Sequence, residues 1–161
     1  MKTLYLLRHA KSSWDNPNFS DFQRPLNERG EKAAPLMGKT MRDSEFLPQT
    51  IISSPAERAK QTAFLVKKAA DLDAEIRFDQ RIYGAATSEI LEIASELDDG
   101  FASALLVGHN PTFENAVRVL TGRFETMPTA SLAVIDLEIS DWSEIAPGSG
   151  RLREFLRPKQ L

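Results

Sequence analysis

Short apolar segments alternate with longer segments of helical periodicity along the chain, and this alternation constrains the fold more than any other feature. Each apolar segment is too short for a buried helix and is typical of a strand. Strands that alternate with helices form right-handed βαβ crossovers. We therefore predict an α/β fold, a three-layer α/β/α sandwich whose sheet is mainly parallel. The predicted strands are Thr3–Leu7, Thr50–Ile52, Glu75–Phe78, Ala104–Val107, Leu152–Leu156 and Ser131–Ile139, the last as one antiparallel edge strand.

The helical segments carry start and stop signals. Asn27 is a predicted N-cap for the first helix. Ser54-Pro55-Ala56-Glu57 combines an N-cap, a proline at the first helical position and the acid of a capping box, so a second helix is predicted to begin at Pro55. A third helix is predicted from Ser88 to Leu97, and a fourth ends near Leu120 before Gly122.

Composition excludes several classes of protein. Twenty Lys and Arg against 23 Asp and Glu give a net charge of −3, so the basic excess that drives nucleic-acid binding is missing. The chain has no Cys and no signal-peptide pattern, which together favour a reducing cytoplasm. No apolar stretch approaches the ~20 residues that span a bilayer. We expect residues 1–161 to form a single domain that is monomeric and has no nucleic-acid or membrane partner.

The two histidines of the chain each follow a predicted strand directly. His9 lies in Leu7-Arg8-His9-Ala10, and His109 lies in Gly108-His109-Asn110-Pro111. Because the carboxyl ends of parallel strands form the rim of the ligand crevice, we expect both imidazoles to face one site. The alternative is that each is a structural histidine, hydrogen-bonded within its loop.

Two arginines are predicted to lie beside these histidines. Arg8 precedes His9, and Arg58 falls in the first turn of the helix that follows Ser53-Ser54-Pro55. Two guanidinium groups, two imidazoles and nearby helix N-termini favour a bound dianion, and phosphate fits them best. A solvated surface position is the alternative for Arg58.

The absence of several catalytic motifs reduces the number of candidate nucleophiles. The chain has no phosphate-binding P-loop, no metal-ligand spacing, no Cys and no G-x-S-x-G elbow, so histidine is the strongest candidate nucleophile and no metal or other cofactor is expected. A neutral imidazole attacks phosphorus if its other nitrogen is held as N–H, and water then hydrolyses the phosphohistidine. The arginines and the second imidazole, preferably protonated, would hold the phosphate oxygens.

Together these motifs resemble the histidine phosphatase superfamily over nearly the whole chain. The segments Ser20–Gly30 and Phe155-Leu156-Arg157-Pro158-Lys159 are similar to the SixA-type phosphohistidine phosphatase branch. The resemblance implies a phosphoglycerate mutase-like fold and His9 as the phosphorylated nucleophile. It also implies a phosphate pocket completed by Arg8, Arg58 and His109, and a phosphorylated protein or small phospho-compound as partner.

The chain departs from the mutase branch of this family at positions that bear on its substrate. Ala10 stands where that branch has Gly, Asp15 where it has Asn, and Gln80 where a Glu protonates the leaving group. We take Asp21 as the favoured proton donor, with Asp15 and Glu89 as alternatives, although each also fits a local structural role. The 51 positions from Arg58 to His109 leave no space for a capping domain, so an open rim is predicted.

Three functions are compatible with these sequence motifs. The favoured one is dephosphorylation of phosphohistidine in a protein through a covalent intermediate on His9. The alternatives are a small-molecule phosphomonoesterase or mutase of the same superfamily, and a non-catalytic module that binds a phosphorylated ligand.

Overall fold

The computed structural model describes residues 1–161 and contains one six-stranded sheet covered by two pairs of α-helices. The strands are β1 (Lys2–Arg8), β2 (Thr50–Ser53), β3 (Ile76–Phe78), β4 (Ser103–Gly108), β5 (Leu132–Leu137) and β6 (Gly150–Leu156). The helices are α1 (Glu28–Asp43), α2 (Glu57–Ala70), α3 (Thr87–Ser95) and α4 (Thr112–Thr121).

The strand order is β3-β2-β4-β1-β5-β6, which confirms the predicted α/β fold with a mainly parallel sheet. One strand, β5, runs antiparallel to both of its neighbours, but its predicted place at the edge is wrong. It lies between β1 and β6, and all six of its residues are buried. The run from Leu132 to Leu137 is apolar at nearly every position, as expected for a strand covered on both faces. The edge strand is β6, in which exposed residues alternate with half-buried ones over its first half.

Successive side chains of the central strand supply two separate hydrophobic cores. In β1, Leu4 and Leu6 pack with the apolar residues of α3 and α4, whereas Tyr5 and Leu7 pack with those of α1 and α2. Each fully buried leucine stabilises the fold by roughly 1.5–3 kcal/mol. Both faces of the sheet are therefore closed, and a ligand can approach only at its ends.

The helix signals are confirmed at three of the four helices, with small shifts at their ends. The side chain of Asn27 accepts a hydrogen bond from the Gly30 N–H at 2.9 Å and so caps α1. Gly30 lies so close to the Lys11 carbonyl that a Cβ there would stand 2.2 Å from it, which explains a glycine in a helix. Gly122 ends α4 in the left-handed conformation.

The predicted start of α2 is displaced by two residues. The helix begins at Glu57, and the predicted capping box does not form. Instead, the Ser54 hydroxyl accepts a hydrogen bond from the Ala56 N–H and contacts the ring of His109 at 2.8 Å. Ser54 therefore stabilises the turn before α2 and also contacts a residue of the predicted ligand crevice.

None of the four helices combines the length and the apolar character that a membrane crossing requires.

Candidate active site

Three parallel strands end side by side and carry the predicted site residues to one edge of the sheet. Arg8, the last residue of β1, is in register with Gly108, the last residue of β4. The ring centroids of His9 and His109 are 5.1 Å apart. Arg58, in the first turn of α2, places its Nε 3.4 Å from Nε2 of His9. The structure thus brings together the four residues that the sequence predicted for the phosphate pocket.

The backbone fixes the protonation pattern of His9. Its Nδ1 lies 2.7 Å from the carbonyl of Ala10, an acceptor, so the proton of the neutral ring is on Nδ1. The lone pair of Nε2 then remains available as a nucleophile. Burial lowers the pKa of His9 to about 3, although the hydrogen bond to Ala10 acts in the opposite direction. His9 is therefore neutral at physiological pH, as nucleophilic attack requires.

Thr62 is a residue of the site that sequence reasoning missed. Its hydroxyl donates to the Arg58 carbonyl at 2.7 Å and accepts from the Ala10 N–H at 3.0 Å. This side chain is fully buried and links α2 to the loop that carries His9. A threonine within the apolar stripe of a helix was the only available signal.

The expected protonation of His109 is not found in the free site. Burial and the nearby Arg58 guanidinium lower the pKa of His109 to about 4, so its ring is neutral at pH 7. Its Nε2 lies 2.8 Å from the Ser54 hydroxyl, which also accepts a hydrogen bond from the Ala56 N–H. The other ring nitrogen, Nδ1, is buried and has no hydrogen-bond partner within the chain.

Arg8 retains an unpaired donor. Its Nη1 donates to the Met127 carbonyl at 2.9 Å, whereas its Nε is buried without a hydrogen-bond partner. Unpaired buried donors are rare because each costs about 1–3 kcal/mol.

Asp21 lies at the site, but not in the protonation state expected of a proton donor. Burial alone would raise the pKa of its carboxyl group, but hydrogen bonds from Tyr83, Arg24 and Arg58 outweigh that effect and lower the pKa to about 2. Its Oδ2 accepts from Arg58 at 3.0 Å and from Tyr83 at 2.8 Å. The free protein therefore presents a carboxylate at this position, and its geometry fits an anchor for Arg58.

The other two candidate proton donors, Glu89 and Asp15, lie outside the pocket, and so does Gln80. Glu89 accepts a hydrogen bond from the Ala86 N–H at the start of α3, which is the structural role considered for it. Asp15 is exposed and borders a neighbouring surface depression. Gln80 is exposed and does not line the pocket. None of these three side chains is placed to act on a phosphate held between His9 and His109.

The four residues line a cationic cavity of about 250 Å³. Arg24 also lines it, held by Asp21 and by the Ser12 hydroxyl at 2.7 Å. The exposed Trp14 stacks on Arg24, whose guanidinium carbon is 3.5 Å from the ring centroid. No carboxylate side chain lines this cavity. Its lining is Arg8, His9, Lys11, Ser12, Trp14, Arg24, Arg58, His109, Asn110 and Thr129.

No His, Cys, Asp or Glu side chains form a group of three that could hold a metal ion. The donors of the pocket are guanidinium groups and imidazoles, which suit an anion.

Comparison with known proteins identifies the family. Residues 4–104 match the family model described as histidine phosphatase superfamily (branch 1). The chain belongs to the histidine phosphatase superfamily. Membership supports a phosphatase or mutase enzyme.

Similar proteins place the chain near the SixA branch of this superfamily. A SixA protein from Agrobacterium tumefaciens, described as a candidate phosphohistidine phosphatase, is 32% identical, with a TM-score of 0.85 over 98% of both chains. A structure of the protein histidine phosphatase SixA complexed with tungstate is 23% identical and has the same fold, with a TM-score of 0.79 over 98% of both chains. An uncharacterised Mycobacterium tuberculosis protein is 30% identical over 95% of this chain and all of its own length.

Proposed function

We propose that this protein is a metal-independent phosphohistidine phosphatase that acts through a covalent phosphohistidine on His9. The observation that carries the proposal is the hydrogen bond between His9 Nδ1 and the Ala10 carbonyl, because it leaves Nε2 unprotonated in a cationic pocket. Phosphohistidine in a protein is favoured as the substrate by the likeness to the Agrobacterium SixA protein.

The first step transfers the phosphoryl group to His9. The lone pair of His9 Nε2 attacks phosphorus while the bond from phosphorus to the substrate's imidazole nitrogen breaks. The substrate ring leaves as neutral imidazole when its other nitrogen carries a proton. Arg8, Arg58 and His109 hold the phosphate oxygens, where charge collects in the loose transition state.

The second step releases phosphate. Water attacks the phosphorus, and the bond between phosphorus and His9 Nε2 breaks. The Ala10 carbonyl keeps a proton on Nδ1, so the phosphorylated ring is cationic and leaves as neutral imidazole. The products are inorganic phosphate and the original His9.

The acid groups of the site support this choice of leaving group. An alkoxide needs a proton donor, whereas a protonated imidazole does not. Asp21 is ionised in the free protein, and Gln80 has no acidic proton and lies outside the pocket. Phosphohistidine is therefore expected to be hydrolysed faster than alkyl phosphates.

Rapid mixing with phosphoramidate, an acid-free quench and mass spectrometry test the covalent step. We expect one phosphoryl group, located on His9. His9→Ala should carry no label and should lose turnover while keeping its circular dichroism spectrum. Arg58→Gln should slow turnover by about 10²-fold, the scale for removing one oxyanion donor. Label on His109, or near wild-type turnover by His9→Ala, would rule out the mechanism.

A substrate panel separates the proposed function from the two alternatives. Phosphoramidate, a phosphohistidine peptide and a sugar phosphate are compared by kcat/KM. A phosphohistidine phosphatase prefers the first two, and a small-molecule phosphomonoesterase or mutase prefers the third. A non-catalytic module would bind the phosphorylated compounds and hydrolyse none of them.

A further inference from the structure

A second cavity lies beside the candidate active site and carries a concentrated positive charge. It has a volume of about 460 Å³ and is enclosed by the start of α1, the loop before β5 and the segment after β6. Five of its ten lining residues are Lys or Arg, and none is Asp or Glu. The lining comprises Arg8, Lys11, Arg29, Ala33, Pro128, Thr129, Arg157, Pro158, Lys159 and Gln160.

Most of this charge is not neutralised within the chain. Arg157 is the only one of the five basic residues that forms an ion pair, with Glu125 at 3.2 Å. Lys11, Arg29 and Lys159 are exposed and have no carboxylate within ion-pair distance. Elsewhere charges are commonly paired, as in the contacts of Arg81 with Asp79 and Glu96. In a chain of net charge −3, this concentration of unpaired cations sets the cavity apart from the rest of the surface.

The second cavity adjoins the catalytic pocket. Arg8, Lys11 and Thr129 line both of them. The Ala130 N–H donates to the carbonyls of both Arg8 and His9, and Ala130 adopts a left-handed φ of 61°. This turn fixes Thr129 at the boundary between the two cavities. A ligand whose phosphoryl group reaches His9 therefore lies next to the second cavity, which we call the basic groove.

We propose that the basic groove binds carboxylate side chains that flank the phosphohistidine in an acidic protein segment. This proposal rests on the proposed function and adds the class of partner. The groove's cations at Lys11, Arg29 and Lys159 are long, exposed side chains, which suit the solvated carboxylates of a protein surface better than an enclosed small molecule. Ala33, Pro128 and Pro158 supply apolar contacts between the charges.

Two phosphohistidine peptides of equal length test the proposal, one with Glu residues beside the phosphohistidine and one with Gln residues at the same positions. We expect the wild-type protein to prefer the Glu peptide in kcat/KM on the order of tenfold at low salt, which corresponds to about 1.4 kcal/mol. The preference should shrink as ionic strength rises, because exposed charges are screened.

Charge-reversing substitutions in the basic groove test whether its cations cause the preference for the Glu peptide. Arg29→Glu with Lys159→Glu should bring the ratio of the two kcat/KM values close to one. The matched control, Lys39→Glu with Lys68→Glu, changes the net charge equally at exposed positions outside both cavities and should keep the wild-type ratio. Equal kcat/KM for both peptides in the wild-type protein, or an unchanged ratio in the groove variant, would overturn the proposal.

Binding of the unphosphorylated peptides, followed by fluorescence anisotropy, separates this proposal from the proposed function. Tighter binding of the Glu peptide to the wild-type protein, lost in the groove variant, supports the groove even if no phosphohistidine is hydrolysed. Equal binding of both peptides rejects the groove even if phosphohistidine is hydrolysed. A groove-variant defect confined to small bisphosphorylated compounds would overturn the assignment to a protein segment.

Discussion

His9 and His109 have the same side chain, yet their ring nitrogens are partnered in complementary ways. His9 is held through Nδ1 by the Ala10 carbonyl, whereas His109 is held through Nε2 by the Ser54 hydroxyl. The first arrangement leaves Nε2 of His9 unprotonated, so it accepts a hydrogen bond from Arg58 Nε, whereas Nδ1 of His109 is buried without a partner. Both rings are neutral, and in the proposed mechanism His9 attacks phosphorus while His109 contacts a phosphate oxygen.

The neutral histidines predict a dependence of stability on pH. Burial lowers the pKa of His9 to about 3 and that of His109 to about 4, whereas both titrate near 6.5 in the unfolded chain. Below pH 6.5 the unfolded chain takes up protons that the folded protein does not, so stability falls with falling pH. The stabilisation is fully present above about pH 6.5. It should decline by up to about 1.4 kcal/mol per pH unit for each histidine towards pH 4.

Urea unfolding between pH 7.5 and 4.5 measures this effect. The double variant His9→Gln with His109→Gln should show a shallower pH dependence of the free energy of unfolding than the wild-type protein. If the free energy of unfolding changed with pH by the same amount in both proteins, the two histidines would not cause the pH dependence.

Asp21 gives a second prediction at the scale of single residues. Its carboxylate accepts hydrogen bonds from Arg58 and Arg24, so we expect it to act by positioning Arg58. Asp21→Asn should then slow phosphohistidine, aryl phosphate and alkyl phosphate hydrolysis by a similar factor, measured as kcat/KM. A proton donor would instead show selective slowing of the alkyl phosphate, whose leaving group needs protonation most.

At the scale of elements, α2 is attached to the end of β1 by a side chain rather than by backbone pairing. Thr62 Oγ1 bridges the Arg58 carbonyl and the Ala10 N–H, so one hydroxyl sets the distance between an arginine and the nucleophile. The same loop is fixed from its other side by α1, where Gly30 lies against the Lys11 carbonyl. The site geometry thus depends on how two neighbouring helices pack against a single loop.

Thr62→Val tests this attachment. The substitution keeps the shape of the side chain but leaves the buried Ala10 N–H without its acceptor, which costs about 1–3 kcal/mol. We expect a loss of that size in urea unfolding, together with a lower kcat. Thr40→Val is the matched control, because the Thr40 hydroxyl also donates to the carbonyl four residues earlier but serves no other group in the chain. A similar loss of kcat in both variants would contradict the role given to Thr62.

At the scale of the whole molecule, the charge distribution separates the edge that carries the site from the remaining surface. The chain is acidic overall, yet the pocket and the basic groove are lined by cations without a carboxylate among their lining residues. Such an arrangement attracts anionic ligands over a distance and raises association rates. It also gives the phosphate charge a permanent set of counter-ions.

We predict that the activity does not depend on a metal ion. In the proposed mechanism Arg8 and Arg58 balance the charge of the phosphate, so prolonged dialysis against EDTA should leave the hydrolysis of phosphoramidate unchanged. The kcat of treated and untreated protein is compared, with Mg²⁺, Mn²⁺ or Zn²⁺ added back. A loss of activity that one of these ions restores would show that a metal takes part.

The alternation of strands and helices and the four residues of the phosphate pocket could be predicted from the amino-acid sequence alone. Both follow from local rules: apolar segments of strand length define the sheet, and parallel strands deliver the residues after them to one edge. The same rules identified Asn27 and Gly122 as helix ends, because capping depends on neighbouring residues.

Features that depend on contacts between residues distant in sequence could not be predicted from local patterns. The protonation of His109 and Asp21 follows from burial and from Arg58 and Tyr83, whose positions no local pattern gives. Likewise, β5 is an internal strand because β6 pairs with it on the side away from β1, although the apolar pattern of β5 also fits an edge strand. The basic groove joins residues near positions 11, 29 and 159, far apart along the chain. The spacing of residues along the chain predicts which of them lie together at the ends of the strands. Tertiary packing determines their protonation states and the residues they contact.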